Sequence, residues 1–534
     1  MIHQQLFLIL TLFFAMALLY LLSQRLKVSY PIFLVIGGLL ISFIPGMPTI
    51  NINPDMVFLI FLPPLLFEAA WYSSWQDLWK WKRPILVLGF GLVLATSAAV
   101  AYFSMLIIPG FTLALGFLLG GIISPPDAIA ATSVIKGMNV PKRGITILEG
   151  ESLVNDAASL TVFRFALAAI LTGSFVFKEA FMNFSVLAVM GVVVGLAIAH
   201  VLYFILKYWV KDSSITTPIT LIAPYLMYLG AEELNWSGVL AVVSGGLFLS
   251  FRASDFLNYN TRIQTKEVWA TVGFLLNGFV FILIGLELPA IIASLGDYAF
   301  NDAIRYALLI SIMVIIIRIV LVYVAILVPG LVSKRIREKE KSFGYKLPFV
   351  IGWAGMRGVV SLASALAIPL TLNDGSAFPQ RNLILFITFV VILVTLVFQG
   401  LTLPLFIKGL KVKEIDEHIP EEDQVELIRM EIGKRQIEYL DANYSLEMDQ
   451  YDVISRIKEQ VEMSLNATAS AQHESDKKEA LYTVRRLYKK IMLELVAVRR
   501  QELYRIRLEK RFDDAVIRNM ENNLDLEEAR LNRY

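Results

Sequence analysis

Ile122-Ile123-Ser124-Pro125-Pro126-Asp127-Ala128-Ile129-Ala130 and Gly150-Glu151-Ser152-Leu153-Val154-Asn155-Asp156-Ala157 place two carboxylates, Asp127 and Asp156, inside stretches long and apolar enough to cross a bilayer. A charge at bilayer mid-depth costs roughly 2.5–3.5 kcal/mol even on the mildest scale. Groups retained at that cost are functional by default, and in a chain with many spans the default use is moving ions or protons.

The rest of the chain agrees with this reading. It is 57% hydrophobic and 18% charged, with a mean hydropathy of +0.64. A water-soluble protein of 534 residues does not have that balance; a polytopic membrane protein diluted by a polar region does. The polar region is C-terminal. Residues 411–534 hold 22 basic and 27 acidic side chains, against 26 and 19 in the first 410. The sequence thus divides into a transmembrane part, 1–410, and a charged cytoplasmic tail, 411–534. With no cysteine, disulfides and thiolate chemistry are excluded. The histidines, His3, His200, His418 and His473, do not cluster, so a histidine metal site is not expected. No phosphate loop, nucleophile elbow or His-Glu-x-x-His motif occurs, and neither an enzyme activity, a cofactor nor a nucleic-acid partner is expected. The apolar segment 6–22 lacks a basic leader and a small-x-small cleavage site, and reads as a retained first span.

Apolar runs place about thirteen spans near 6–22, 31–44, 56–70, 84–108, 111–135, 144–172, 181–206, 215–231, 237–251, 267–292, 303–332, 347–370 and 383–410. Alternate loops differ sharply in charge. One set carries nineteen Lys and Arg, among them Arg25, Lys80, Lys82, Arg83, Lys136, Lys142, Lys207, Arg262 and Lys334; the other carries Lys178, Arg305 and Arg381. The positive-inside rule makes the first set cytoplasmic, with the N-terminus outside and the tail inside. Spans one to six then start outside and spans eight to thirteen inside, as in two inverted six-helix repeats. The fifth span of each half is interrupted, by Pro125-Pro126 and by Gly352-Trp353-Ala354-Gly355-Met356-Arg357-Gly358. Paired interruptions point to an ion site at mid-membrane.

Around Asp156 the helical period puts Ser152 on the same face, with Asn155 adjacent. Together they offer carboxylate, amide and hydroxyl oxygens, which suit a hard monovalent cation. Burial favours the neutral acid and a bound cation favours the carboxylate, so one group holds H+ or a cation in competition. The plainer alternative is a buried carboxylate paired with an arginine for assembly. Asp127, after the proline break, either ligates directly or holds the broken geometry. Glu151 lies about 140° around the helix from Asp156 and is expected to pair with Arg318 as structure. Arg164 is a third intramembrane arginine, and Arg357 is expected to neutralise helix ends at the break. Glu68 ends Leu62-Pro63-Pro64-Leu65-Leu66-Phe67-Glu68 near the cytoplasmic side, where it suits an ion entrance. Glu287 and His200 are assigned no role. In the tail, Leu481, Leu487, Met492, Leu493, Leu495 and Val496 recur at roughly helical spacing, as in amphipathic helices that self-associate or pack on the membrane part.

Three of these motifs resemble a known family. Gly150–Ala157 resembles the GES-L-x-NDA motif of the monovalent cation/proton antiporter-1 family, the sodium/proton exchangers. Leu62–Ala69 resembles its LPP-xx-[FY]-[DE]-A motif, and Met356–Ala363 its RG motif. The likeness covers about residues 1–410. The chain departs at Asp127, where many members have Asp-Pro and this sequence has Pro-Pro-Asp-Ala. The resemblance implies electroneutral exchange of Na+, sometimes Li+ or K+, for H+ at the plasma membrane in pH homeostasis. Members with Asp-Asp at the positions of Asn155-Asp156 tend to be electrogenic. It further implies a lipid-embedded homodimer and an elevator-like movement of a core bundle. On that pattern Na+ and H+ compete at Asp156, supported by Asn155, Ser152 and Asp127, while Glu151 and Arg318 form a structural ion pair. The alternatives left open are K+/H+ exchange, a cation channel, and a membrane-bound scaffold whose tail does the work.

Overall fold

The structure is a computed structural model. It describes residues 2–26, 28–44, 54–138, 140–173, 177–210, 212–293, 295, 298–332, 344–372, 374–412, 421–445, 455–463, 465, 475–508 and 514–532. Lys27, Lys211, residues 334–341 of the basic loops, His418 and His473 lie outside them. Among the described residues the protein is all-α, with a single isolated bridge between Thr371 and Ala377.

The sequence forms helices because lipid leaves the backbone no other partner than itself. Among the described residues seven helices are long and apolar enough to cross a membrane. The helices used below are α1 (Ile2–Leu26), α2 (Tyr30–Ser42), α3 (Pro54–Tyr72), α4 (Trp75–Lys80), α5 (Lys82–Ile107), α6 (Leu113–Ile123), α7 (Ala128–Ile135), α8 (Lys142–Thr172), α9 (Phe177–Phe204), α10 (Ser213–Glu232), α11 (Gly238–Phe251), α12 (Tyr259–Leu286), α13 (Phe300–Val332), α14 (Lys346–Trp353), α15 (Val359–Leu366) and α16 (Arg381–Leu410).

Their apolar faces gather into two main packed groups. The larger unites α2, α5, α6, α7, α13, α14, α15 and α16, together with Met16 of α1, Phe281 and Ile284 of α12, and Ile147, Leu148, Phe163 and Ala166 of α8. The second unites α3, α9, α10 and α11 with Trp269 of α12 and with Leu153 and Ala157 of α8. Helix α8 therefore belongs to both, and its residue 156 lies at the seam between them. Small residues set the closest approaches. A Cβ at Gly116 or Gly120 would come within 2.6 Å of the α5 backbone at Ala101 or Ser97, so α6 packs on α5 backbone to backbone.

The chain divides into two compact units, Met1–Ile415 and Asp416–Tyr534. The second contains α17 (Glu421–Asn443), α18 (Ser475–Leu508) and α19 (Asp514–Asn532). Val496 and Leu503 of α18 are buried against Leu524 of α19. Arg499 pairs with Glu527, and Arg500 with Asp525 and Glu528, along the same contact. Leu487 and Leu495, grouped with Val496 in the sequence reading, remain 56% and 48% exposed. Leu495 and Val496 are neighbours about 100° apart on the helix, so one partner helix covers only one of them.

Candidate functional site

The site begins where two helices fail to continue. Pro125 and Pro126 supply no N–H, so α6 ends at Ile123 and the helix resumes at Ala128. The glycine-rich segment ends α14 at Trp353, and the helix resumes at Val359. The two interruptions meet. The Asp127 backbone N–H donates to Met356 O at 2.7 Å. Arg357 Nε donates to Ile123 O at 2.9 Å, its Nη1 donates to Gly355 O, and its backbone N–H donates to Thr395 Oγ1 at 3.1 Å. A fully buried guanidinium thus sits on carbonyls at the C-terminal ends of both broken helices, where the helix dipole is negative.

Asp127 serves the opposite ends. Its Oδ1 accepts from the N–H groups of Ile129 at 2.8 Å and Ala130 at 3.4 Å, capping α7. Its Oδ2 lies against Gly358, the residue before α15, where a Cβ would overlap the carboxylate. One carboxylate and one guanidinium therefore lie against all four helix ends at the crossing.

Helix α8 runs past this crossing without a break. Asn155 Nδ2 donates to Pro126 O at 2.9 Å, and Ser152 Oγ accepts from the Ala128 N–H at 3.4 Å. Both side chains satisfy backbone groups that the break exposes. On the other side of α8, Glu151 receives a two-pronged contact from Arg318 of α13, Nη1 to Oε1 at 2.7 Å and Nη2 to Oε2 at 3.1 Å. Neither side chain has any exposed surface. Arg164, farther along α8, pairs with Glu232 of α10 at 2.8 Å in a half-exposed position.

Along the seam lies a cavity of about 480 Å³. Asp156, Ser152 and Asp127 form one wall, Glu68 and Leu65 of α3 another, and Gly273 and Asn277 of α12 a third. Tyr72, Ser73, Thr132 and Glu149 also line it, all near the helix ends that lead to the basic loops. Asp156 is 7% exposed and lines this space. Asn155 does not line it. It is fully buried and faces the break, so the oxygen cluster around Asp156 expected from the sequence is divided: Ser152 and Asp127 share the cavity, Asn155 does not. Arg357, Glu151 and Arg318 also lie outside the lining. Glu68 is in it, on the face of α3 toward Gly273.

Two further lining residues were not singled out in the sequence. Asn277 Oδ1 and Ser361 Oγ are buried without a hydrogen-bond partner among the described residues. Asn277 is a lone amide in an apolar span and Ser361 lies within the Met356–Ala363 motif; an amide kept among apolar neighbours was the signal available. Among the described residues no group of three or more Asp, Glu or His is placed to hold a metal ion.

The family described as "Sodium/hydrogen exchanger, transmembrane" matches residues 9–409. The chain belongs to the sodium/hydrogen exchanger family. It is a multi-pass membrane protein. Among its relatives, a sodium, potassium, lithium and rubidium/H+ antiporter of Bacillus pumilus is 35% identical over 388 residues, 71% of this chain and 57% of that protein. The chain thus spans somewhat over half the length of that relative. The Na+/H+ antiporter ApNhaP of Aphanothece halophytica is 32% identical over 390 residues, 72% of this chain and 70% of its own. Among solved structures, the sodium proton antiporter MjNhaP1 of Methanocaldococcus jannaschii shares the fold, with a TM-score of 0.60, 19% identity, and coverage of 77% of this chain and 99% of the other.

Proposed function

We propose that this exchanger is a secondary active antiporter that trades a monovalent cation for H+ at Asp156 by alternating access. The observation that carries the reading is the cavity, which has Asp156 in its wall at the seam between two packed helix groups. A carboxylate there crosses the apolar interior only when neutralised, by a proton or by a cation. The two ligands exclude each other, which couples their movements. Ser152, Asp127, Asn277 and Ser361 supply oxygens beside it, and Glu68 stands between Asp156 and the basic-loop face. Asn155, by holding Pro126 O, positions the break rather than the ion. With one titrating carboxylate per cycle and a neutral amide at 155, exchange of one Na+ for one H+ is electroneutral.

The protein resides in the plasma membrane with its basic loops and tail in the cytoplasm, so the cavity opens inward. It works as a homodimer, a state that the family resemblance implies. Na+ is the first-choice cation. K+ exchange is the second reading, favoured by the breadth of cations in the name of the Bacillus pumilus relative. The test is proton flux in proteoliposomes at zero voltage, with Na+, K+ or Li+ added against a pH gradient. Cation-dependent flux that vanishes in a folded Asp156→Asn protein is expected. Equal flux in that variant rules out Asp156 as the exchange site, and cation leak without proton movement indicates a channel.

A further inference from the structure

Between α3 and α5 the chain reads Trp71-Tyr72-Ser73-Ser74-Trp75-Gln76-Asp77-Leu78-Trp79-Lys80-Trp81-Lys82-Arg83, four tryptophans in thirteen residues. Two of them are used by the fold: Trp81 is 5% exposed, and Trp71 packs on Phe67. The other two are not. Trp75 and Trp79 stack on each other at 5.8 Å and remain 45% and 59% exposed. Lys82 lays its ammonium over the Trp79 ring at 3.8 Å, and Lys80 lies over Trp81 at 5.2 Å; both lysines are exposed. One turn past Lys82 the surface becomes purely apolar, with Leu86, Val87 and Leu94 exposed in a stripe along α5.

This order is that of a lipid molecule read from head to tail. The stripe on α5 fits an acyl chain, the two indoles fit the interfacial level, and the two ammonium groups stand just beyond them. The one acidic side chain between residues 71 and 95, Asp77, is turned to Lys142 of α8 at 3.2 Å. The lysine–tryptophan corner is therefore left with positive charge. A second aromatic corner on the same side of the membrane shows the contrast. There Lys207 donates to Tyr203, whose hydroxyl donates to Asp255, itself paired with Arg252. That cluster's carboxylate faces its own cations; the carboxylate of α4, Asp77, is instead engaged by Lys142 of α8.

We propose that the α4–α5 corner is a binding site for one anionic phospholipid, its headgroup held by Lys80 and Lys82 and its glycerol region by Trp75 and Trp79. The placement gives the site consequence. The corner is where the chain passes from the group containing α3 to the group containing α5, and Asp77 ties it to the helix that carries Asp156.

The probe is tryptophan quenching of the intact protein in vesicles containing either brominated phosphatidylglycerol or brominated phosphatidylcholine. Quenching by the anionic lipid should exceed that by the zwitterionic one. The apparent preference should fall about fivefold for each lysine removed, in Lys80→Gln, Lys82→Gln and their double variant. Lys207→Gln should keep the full preference, and Lys82→Arg most of it. Millimolar inorganic phosphate should leave the preference intact, since the acyl stripe holds the ligand in the membrane. Equal quenching by the two lipids in the parent protein overturns the proposal without recourse to any variant. So does a preference that survives the double substitution or is removed equally by Lys207→Gln. Loss of the preference with free phosphate overturns the lipid as occupant.

Discussion

Replacing Glu151 by glutamine removes one charge and changes almost nothing in shape, so it isolates the electrostatics of the buried pair. In the native protein Arg318 makes contacts of 2.7 and 3.1 Å to the two carboxylate oxygens, and both side chains are fully buried. The glutamine oxygen still accepts from Nη1, but its amide group meets a second donor in Nη2. The guanidinium then stands in the interior without a counter-charge. Two unit charges about 4 Å apart interact by about 4 kcal/mol at an effective dielectric of about 20. Removing one partner of a buried pair typically costs about 3–5 kcal/mol. A second cation increases the strain on the site: Gly355 lies between the Arg318 side chain and the Arg357 guanidinium, so two arginines share the neighbourhood of this carboxylate. The expected result is a loss of about 3–5 kcal/mol, seen as a melting midpoint lower by roughly 10 °C in purified protein. Glu151→Met combined with Arg318→Met should recover much of that loss, because the stranded charge is gone. A melt of Glu151→Gln within a degree or two of the parent, or a double variant no more stable than the single one, refutes the reasoning.

Arg164→Gln tests the same chemistry in water. Its pair with Glu232 is half exposed, so the cost should stay at or below about 1 kcal/mol, and a melt as low as that of Glu151→Gln would contradict the contrast. Asn155→Asp should destabilise the crossing, since a carboxylate cannot donate to Pro126 O and brings a buried charge; unchanged stability together with unchanged flux would remove Asn155 from its positioning role. The tail contact responds to acid. Arg499 holds the Glu527 carboxyl below its usual range, so its contribution is complete above the unfolded carboxylate value of about 4.3 and is lost as pH falls through the lower folded one. The protection of α18 and α19 against hydrogen exchange, taken relative to the intrinsic rate at each pH, should be flat from pH 6 to 8 and fall only below about pH 4 in the full chain; a loss of protection already near neutrality would contradict the assignment.

Much of this protein was legible in one dimension. Bilayer thickness and the backbone's need for internal hydrogen bonds turn composition into helices, so the apolar runs, the paired interruptions at Pro125-Pro126 and Gly352–Gly358, and the out-of-place carboxylates could be read directly. The helical period also separated Asp156 from Glu151, because it depends only on positions along one helix.

What lies across from each face depends on packing between residues far apart in the chain. The sequence favoured Arg318 as the partner of Glu151, but helix angle along α8 could not place it; α13, 167 positions away, brings its guanidinium to the carboxylate. Adjacency made Asn155 a ligand of the same site as Asp156, yet neighbours on a helix point about 100° apart, and the fold turns Asn155 to the proline break and Asp156 to the cavity. Asp127 was read as either ligand or brace, and its carboxylate accepts from the N-terminus of α7 and lies against Gly358 while lining the space beside Asp156. The seam between the two helix groups, and the entry of Asn277 and Ser361 into its wall, follow from which side chains fill the interior together. That choice is made among about four hundred residues at once, and no local pattern carries it.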